Sequence, residues 1–147
     1  MKQQTVVGIF AALLAAGAAY VQALVVPLAV LLCVMVADYI TGMIHAWITA
    51  TISSRAGIKG IVKKLCYLFA VAVGIVVDWV IKAAGVEAGI AVQNFHYVAL
   101  LVTIWLILNE AISILENVST IGVPVPGFLK KIVEKLKTNA DKEGEKL

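Results

Sequence analysis

Four apolar blocks, at 6–21, 27–50, 65–81 and 95–115, constrain this chain more than any other feature. Each approaches the roughly 17 to 25 residues that a helix needs to cross a bilayer. Hydrophobic residues make up 62% of the sequence and charged ones 14%, whereas an average soluble domain is nearer half apolar and about a quarter charged. The expected fold class is an all-α integral membrane protein of four transmembrane helices, held together by helix packing in lipid. The first block is short, and Gln22 and Pro27 leave room only for a tight turn before the second. A helical hairpin is the reading adopted there, with one long kinked or re-entrant segment as its rival. Lys2, the apolar stretch and Ala16-Gly17-Ala18 also meet the three parts of a secretory signal.

Basic residues orient the spans, because Lys and Arg near span ends stay in the cytoplasm. Arg55, Lys59, Lys63 and Lys64 follow the second block with no acid among them, while the next loop has only Lys82 set against Glu87. The first of these loops is therefore expected inside, with Arg55, Lys59, Lys63 and Lys64 at the anionic headgroups of the inner leaflet. Four spans then place both termini in the cytoplasm. The net charge of +3 is small and the basic residues are not interleaved with aromatics, which argues against nucleic acid as a partner.

After residue 117 the chain changes character. Gly122-Val123-Pro124-Val125-Pro126-Gly127 cannot continue a helix and forms a stiff hinge. Beyond it Leu129, Ile132, Val133 and Leu136 recur at helical spacing opposite Lys130, Lys131, Glu134, Lys135 and Lys137. This pattern predicts an amphipathic helix in the inner interface, or one that binds a partner or a second copy. The expected organisation is a membrane domain over 1–117, a hinge and amphipathic helix over 118–137, and a disordered charged tail over 138–147.

Within the spans, Asp38, Thr41, His45 and Thr49 share one helix face, and Gly42, Ala46 and Ala50 form a small-residue stripe beside it that permits close helix packing. In the fourth block His96, Thr103, Glu110, Ser113 and Asn117 repeat the polar face. Asp78 sits near the outer end of the third block, with Lys82 one turn later as a candidate partner. An unneutralised carboxylate in hydrocarbon costs about 2.5 to 3.5 kcal/mol by insertion scales, so these acids need compensation. Two readings stand. Asp38 and Glu110 meet polar groups on other helices, or the faces of Asp38, Thr41, His45, Thr49, Thr103, Glu110 and Ser113 line water in an assembled state.

Several signals carry no chemistry. Cys33 and Cys66 fall at different depths and show no zinc spacing, and His45 and His96 lie near opposite membrane faces, so neither metal nor cofactor is expected. No Ser, His and acid residues are positioned as a catalytic group.

The run Asp38-Tyr39-Ile40-Thr41-Gly42, then Ala46, Ser53-Ser54, Gly57, Gly60, Lys63-Lys64 and Asp78, resembles the signature of the toxin-secretion and phage-lysis holin family. Asn109 through Asn117, followed by Gly122-Val123-Pro124-Val125-Pro126 and Leu129, is similar to the same family, especially members associated with clostridial toxin release. The resemblance covers about the last three quarters of the chain. It implies a non-enzymatic protein of the bacterial cytoplasmic membrane that forms homo-oligomeric lesions through which an endolysin or a toxin leaves. By position it directs attention to Asp38, Thr41, Gly42, Lys63, Lys64, Asp78, Glu110 and Ser113. A small ion or proton conductor, and a non-conducting antiholin or scaffold, are the alternatives.

Overall fold

The computed structural model describes residues 2–90 and 97–146, without the side chains of 2–6 and 9–21. Four helices in chain order make up the described fold: α1 (Lys2–Ile48), α2 (Ser54–Glu87), α3 (Tyr97–Thr120) and α4 (Gly127–Gly144). Three of them carry segments long and apolar enough to cross a membrane, at Gln22–Ile48, Ser54–Glu87 and Tyr97–Thr120.

The expected hairpin in the first half of the chain is not formed. Helix α1 runs unbroken through Gln22 and Pro27, so the block 6–21 is not set off from the next by a turn. Pro27 removes one backbone donor, but the residues around it, from Ala23 to Val30, offer no Gly or turn-forming side chain, and a helix is the cheapest way to satisfy their remaining amides in an apolar setting. At 47 residues α1 is about 70 Å long, more than twice the hydrocarbon thickness of about 30 Å.

The loop expected after the second block is also shorter than expected. Only residues 49–53 separate α1 from α2, so Arg55, Lys59, Lys63 and Lys64 ride on the first three turns of α2. Ala50, assigned by sequence to the small-residue stripe, lies past the helix end with φ 54°. Its amide donates to the Trp47 carbonyl and that of Thr51 to the Ala46 carbonyl, the paired closing bonds of a Schellman end. Thr49 lies in the same turn, bonded to the His45 carbonyl and the Thr51 hydroxyl. Helices α2 and α3 close in the same way around Gly89 and Gly122, whose φ values of 71° and 93° suit glycine.

Helix α3 is the common neighbour of the bundle. It packs against α1, α2 and α4, whereas α1 and α2 hardly touch one another. The apolar core lies where Leu31 and Met35 of α1, Val71 of α2 and Leu106 of α3 converge. The order of contacts along the helices makes α1 and α3 parallel and α2 antiparallel to both.

The buried face of α2 follows from its spacing. Lys64, Val71 and Asp78 recur every seven residues, with Gly74 and Gly85 between and beyond them, and Val71, Gly74, Asp78 and Gly85 are buried. This is the period of helices packed side by side. Gly74 permits the closest approach: a Cβ there would stand 2.9 Å from the Cα of Ala99 on α3.

Helix α4 doubles back lengthwise along α3, a packing that its periodicity does not anticipate. Lys130 Nζ lies 3.6 Å from Glu116, Lys137 Nζ donates to Asn109 Oδ1 at 2.9 Å, and a Cβ at Gly144 would stand 3.3 Å from Leu101. The helix also continues through residues 138–144, where composition predicts a disordered tail. This last stretch runs close to α3, since a Cβ at Gly144 would stand within 3.3 Å of Leu101.

Candidate functional site

The three apolar helices bring their ionisable groups to one height. Asp38 lies ten residues before the end of α1, Glu110 ten before the end of α3, and Lys64 ten after the start of α2. Antiparallel packing of α2 against the other two makes these equal offsets coincide, each about 15 Å from its helix end.

At that height Lys64 Nζ donates to Asp38 Oδ2 at 2.8 Å and to Glu110 Oε2. Glu110 is 1% exposed, and the side chains of Lys64 and Asp38 are 13% and 16% exposed. The Asn117 amide donates to the second Asp38 oxygen at 3.2 Å and to the Thr41 hydroxyl at 3.3 Å. Thr41 in turn donates to the Asp38 carbonyl. One cation thus serves two carboxylates, with a neutral amide as a further donor. The arrangement ties all three spans together through charge-assisted bonds.

Lys64 therefore does not meet lipid headgroups as expected from the sequence. Its ammonium is enclosed because its position on α2 is on the α3-facing stripe, while Arg55, Lys59 and Lys63 on other faces are exposed. Lys63 places its ammonium 5.6 Å from the Tyr67 ring centre.

A second polar cluster lies toward the other end of the bundle. Asp78 is 0% exposed and accepts the backbone N–H groups of Val98 and Ala99, both at 3.0 Å, one on each carboxylate oxygen. A side chain of α2 thus caps the start of α3, where free amides and the helix dipole favour an anion. Thr103, also 0% exposed, returns its hydroxyl to the Ala99 carbonyl. Asp78→Ala leaves two buried amides unmet and is expected to destabilise the bundle by about 1 to 3 kcal/mol. Asp78→Asn, which keeps one acceptor, should lose less. Thermal unfolding in mild detergent reads both, and an unchanged midpoint for Asp78→Ala would sink the capping role.

The remaining residues singled out by sequence are scattered. His45 is half-buried near the end of α1, Ser113 is half-buried on α3, and a Cβ at Gly42 would meet the Asn117 side chain at ordinary contact distance. Ala46 lines an open groove of about 430 Å³ between α1 and α2, together with Tyr39, Gly42, Gly57 and Gly60. His96 lies outside the described residues. Cys33 and Cys66 are both exposed on the outer surface of the bundle, so neither packs into its core. Sequence reasoning missed Gly74 as the closest helix contact and Lys64 as the central cation. The seven-residue spacing of Lys64, Val71 and Asp78 is the signal that finds both.

Three apolar spans joined by an enclosed ionic cluster, with a charged helix along one flank, define a small multi-span helical membrane protein. The chain belongs to the bacteriophage holin family, which matches residues 15–138. It is similar to an uncharacterised protein of Halalkalibacterium halodurans, with 37% identity covering 78% of this chain and 81% of that one. An uncharacterised protein of Listeria innocua is 34% identical over 80% of this chain and 76% of its own. A probable holin of Bacillus phage phi105 is 30% identical over 74% of this chain and 73% of its own. No solved structure matches the chain. Family membership and the three apolar spans make it a protein of the cytoplasmic membrane with a holin-like role.

Proposed function

We propose that this chain is a pore-forming holin: copies accumulate in the cytoplasmic membrane, assemble laterally and open lesions through which an endolysin or a toxin leaves the cell. The family match across 15–138 is the observation that carries the reading. The fold supports lateral assembly, since large apolar side chains such as Phe69, Val76, Trp79 and Ile40 cover the outer faces of the spans and small residues floor the groove between α1 and α2. Arg55, Lys59 and Lys63 anchor the start of α2 at anionic inner headgroups, each gaining about 1 kcal/mol there. The short connection at 49–53 is thus cytoplasmic.

Asp38 and Glu110 both bond to the Lys64 ammonium, while Asp38 and Lys64 also line the open groove between α1 and α2, so the relay alternative is separated from the holin by experiment. Induction in a bacterial host separates the readings by permeant size. A holin gives abrupt depolarisation together with escape of a folded cytoplasmic enzyme. Depolarisation without enzyme release identifies a small conductor, and neither event identifies a scaffold or antiholin.

A further inference from the structure

We infer that the groove between α1 and α2 seats one acyl chain of an anionic phospholipid, whose headgroup rests at the 49–53 connection. The inference builds on the headgroup contact proposed above. It concerns the single protomer and holds whether or not copies go on to open a lesion.

The first support is the shape of the groove. Gly42 and Ala46 of α1 and Gly57 and Gly60 of α2 are small enough to let two helices close on one another, yet α1 and α2 hardly touch. A Cβ at Gly60 would meet no atom within 4 Å. The space left between the helices is about 430 Å³, with Met43 and Ile61 adding to its apolar lining, and pockets that hold small ligands measure roughly 300 to 1,000 Å³. A void of this kind forfeits dispersion contacts on all its walls, so in a bilayer hydrocarbon is the natural filling.

The second support is the difference in charge between its ends. At the far end Asp38 and Lys64 line the groove, and there two carboxylates, Asp38 and Glu110, share the Lys64 ammonium. An anion is disfavoured at that end. At the mouth the lining is Thr51, Ser53 and Ser54, and the adjoining turns of α2 carry Arg55, Lys59 and Lys63, all exposed, with no acidic residue anywhere from 39 to 77. The three basic residues do not line the groove themselves. They act by their field across a helix diameter of about 10 Å, which is about one Debye length at 0.1 M salt.

The third support is length. Asp38 lies ten residues before the end of α1 and Lys64 ten after the start of α2, so the groove runs about 15 Å along two apolar spans. Half the hydrocarbon thickness, the share of one leaflet, is also about 15 Å.

The test uses full-length protein at high lipid dilution in phosphatidylcholine bilayers that contain a trace of probe. The probe is phosphatidylglycerol with a photoreactive diazirine midway along one acyl chain, or phosphatidylcholine with the same chain. After illumination, labelled positions are mapped by peptide mass spectrometry. Met43 and Ile61 report the groove, while the exposed Ile40 and Val62 lie on other faces of the same helices at similar heights and report bulk lipid. Met43 and Ile61 are expected to take about fivefold more label from the phosphatidylglycerol probe than from the phosphatidylcholine probe, the factor that one basic residue near an anionic headgroup supplies. Ile40 and Val62 should show a smaller preference. Gly60→Leu fills the groove from one wall and Ala46→Leu from the other, and each should remove the excess at Met43 and Ile61 while Ile40 and Val62 label as before. An excess that survives both substitutions overturns the inference. So does a headgroup preference no greater in the groove than on the outer faces, which leaves the headgroup contact standing without a seat. Groove positions labelled less than the outer ones by both probes mean that a second copy covers the groove, and this also overturns it. If no position distinguishes the two probes, the headgroup contact itself fails and the seat fails with it.

Discussion

Lys64→Met is expected to be the most damaging single substitution in the bundle, costing about 3 to 5 kcal/mol. The ammonium is the shared donor to Asp38 and Glu110, and its removal leaves two carboxylates enclosed together without their cation. The methionine side chain keeps most of the apolar stem, so the loss reports on charge rather than volume. The same logic predicts repair. Adding Asp38→Asn and Glu110→Gln to Lys64→Met should recover most of the loss, because a neutral, hydrogen-bonded replacement of a buried ion set is often no less stable than the original. Unfolding in a titration from mild to denaturing detergent, followed by helical circular dichroism, measures all of these proteins. A single mutant as stable as the parent, or a triple mutant worse than the single, would contradict the account.

Gly74→Val should be nearly as harmful, by about 3 kcal/mol. A Cβ at this position meets the Cα of Ala99 at 2.9 Å and its amide nitrogen at 3.2 Å. Those are backbone atoms, which cannot rotate aside, so α2 and α3 must separate. Valine is preferred to alanine as the probe because alanine gains about 1 kcal/mol of helix propensity over glycine, which would mask part of the clash. Separation at Gly74 also withdraws the Asp78 carboxylate from the amides of Val98 and Ala99, four residues along the same face. The two sites are therefore coupled, and Gly74→Val combined with Asp78→Ala should cost clearly less than the sum of the singles. Additive losses in the same detergent titration would show that the helices stay together at Asp78 despite the clash.

Much of this arrangement is legible in the residues. The apolar blocks beginning near 27, 65 and 95 mark the three spans, because hydropathy in a bilayer leaves the backbone no other choice. Asp38 and Glu110 are legible as groups that need partners, and within the protomer Lys64 serves both, with Asn117 as a further donor to Asp38. The identity of the central partner is not legible from local composition. Lys64 stands in a run of basic residues with Gly57 and Gly60, which reads as a loop at the headgroups, and only the longer period through Val71 and Asp78 places it on the buried face. Pro27 misleads in the opposite direction: a residue that ends helices in water sits here inside one whose neighbours have no better way to satisfy their amides. The path of α4 is out of reach of periodicity altogether. Its apolar stripe is equally compatible with lipid, a partner or α3, and the observed path rests on single contacts such as Lys137 on Trp105 and Asn109.

The sparse contact between α1 and α2 bears on how the protein is made. A chain leaving the ribosome delivers α1 and α2 to the membrane before α3 exists, and these two helices have almost no core of their own. What they do share is the Asp38–Lys64 pair, which makes the newborn hairpin electrically balanced at its most costly point. Glu110 and the apolar core around Leu106 both come from α3, so in the finished bundle the last apolar span is the clasp that joins the other two by charge and by packing.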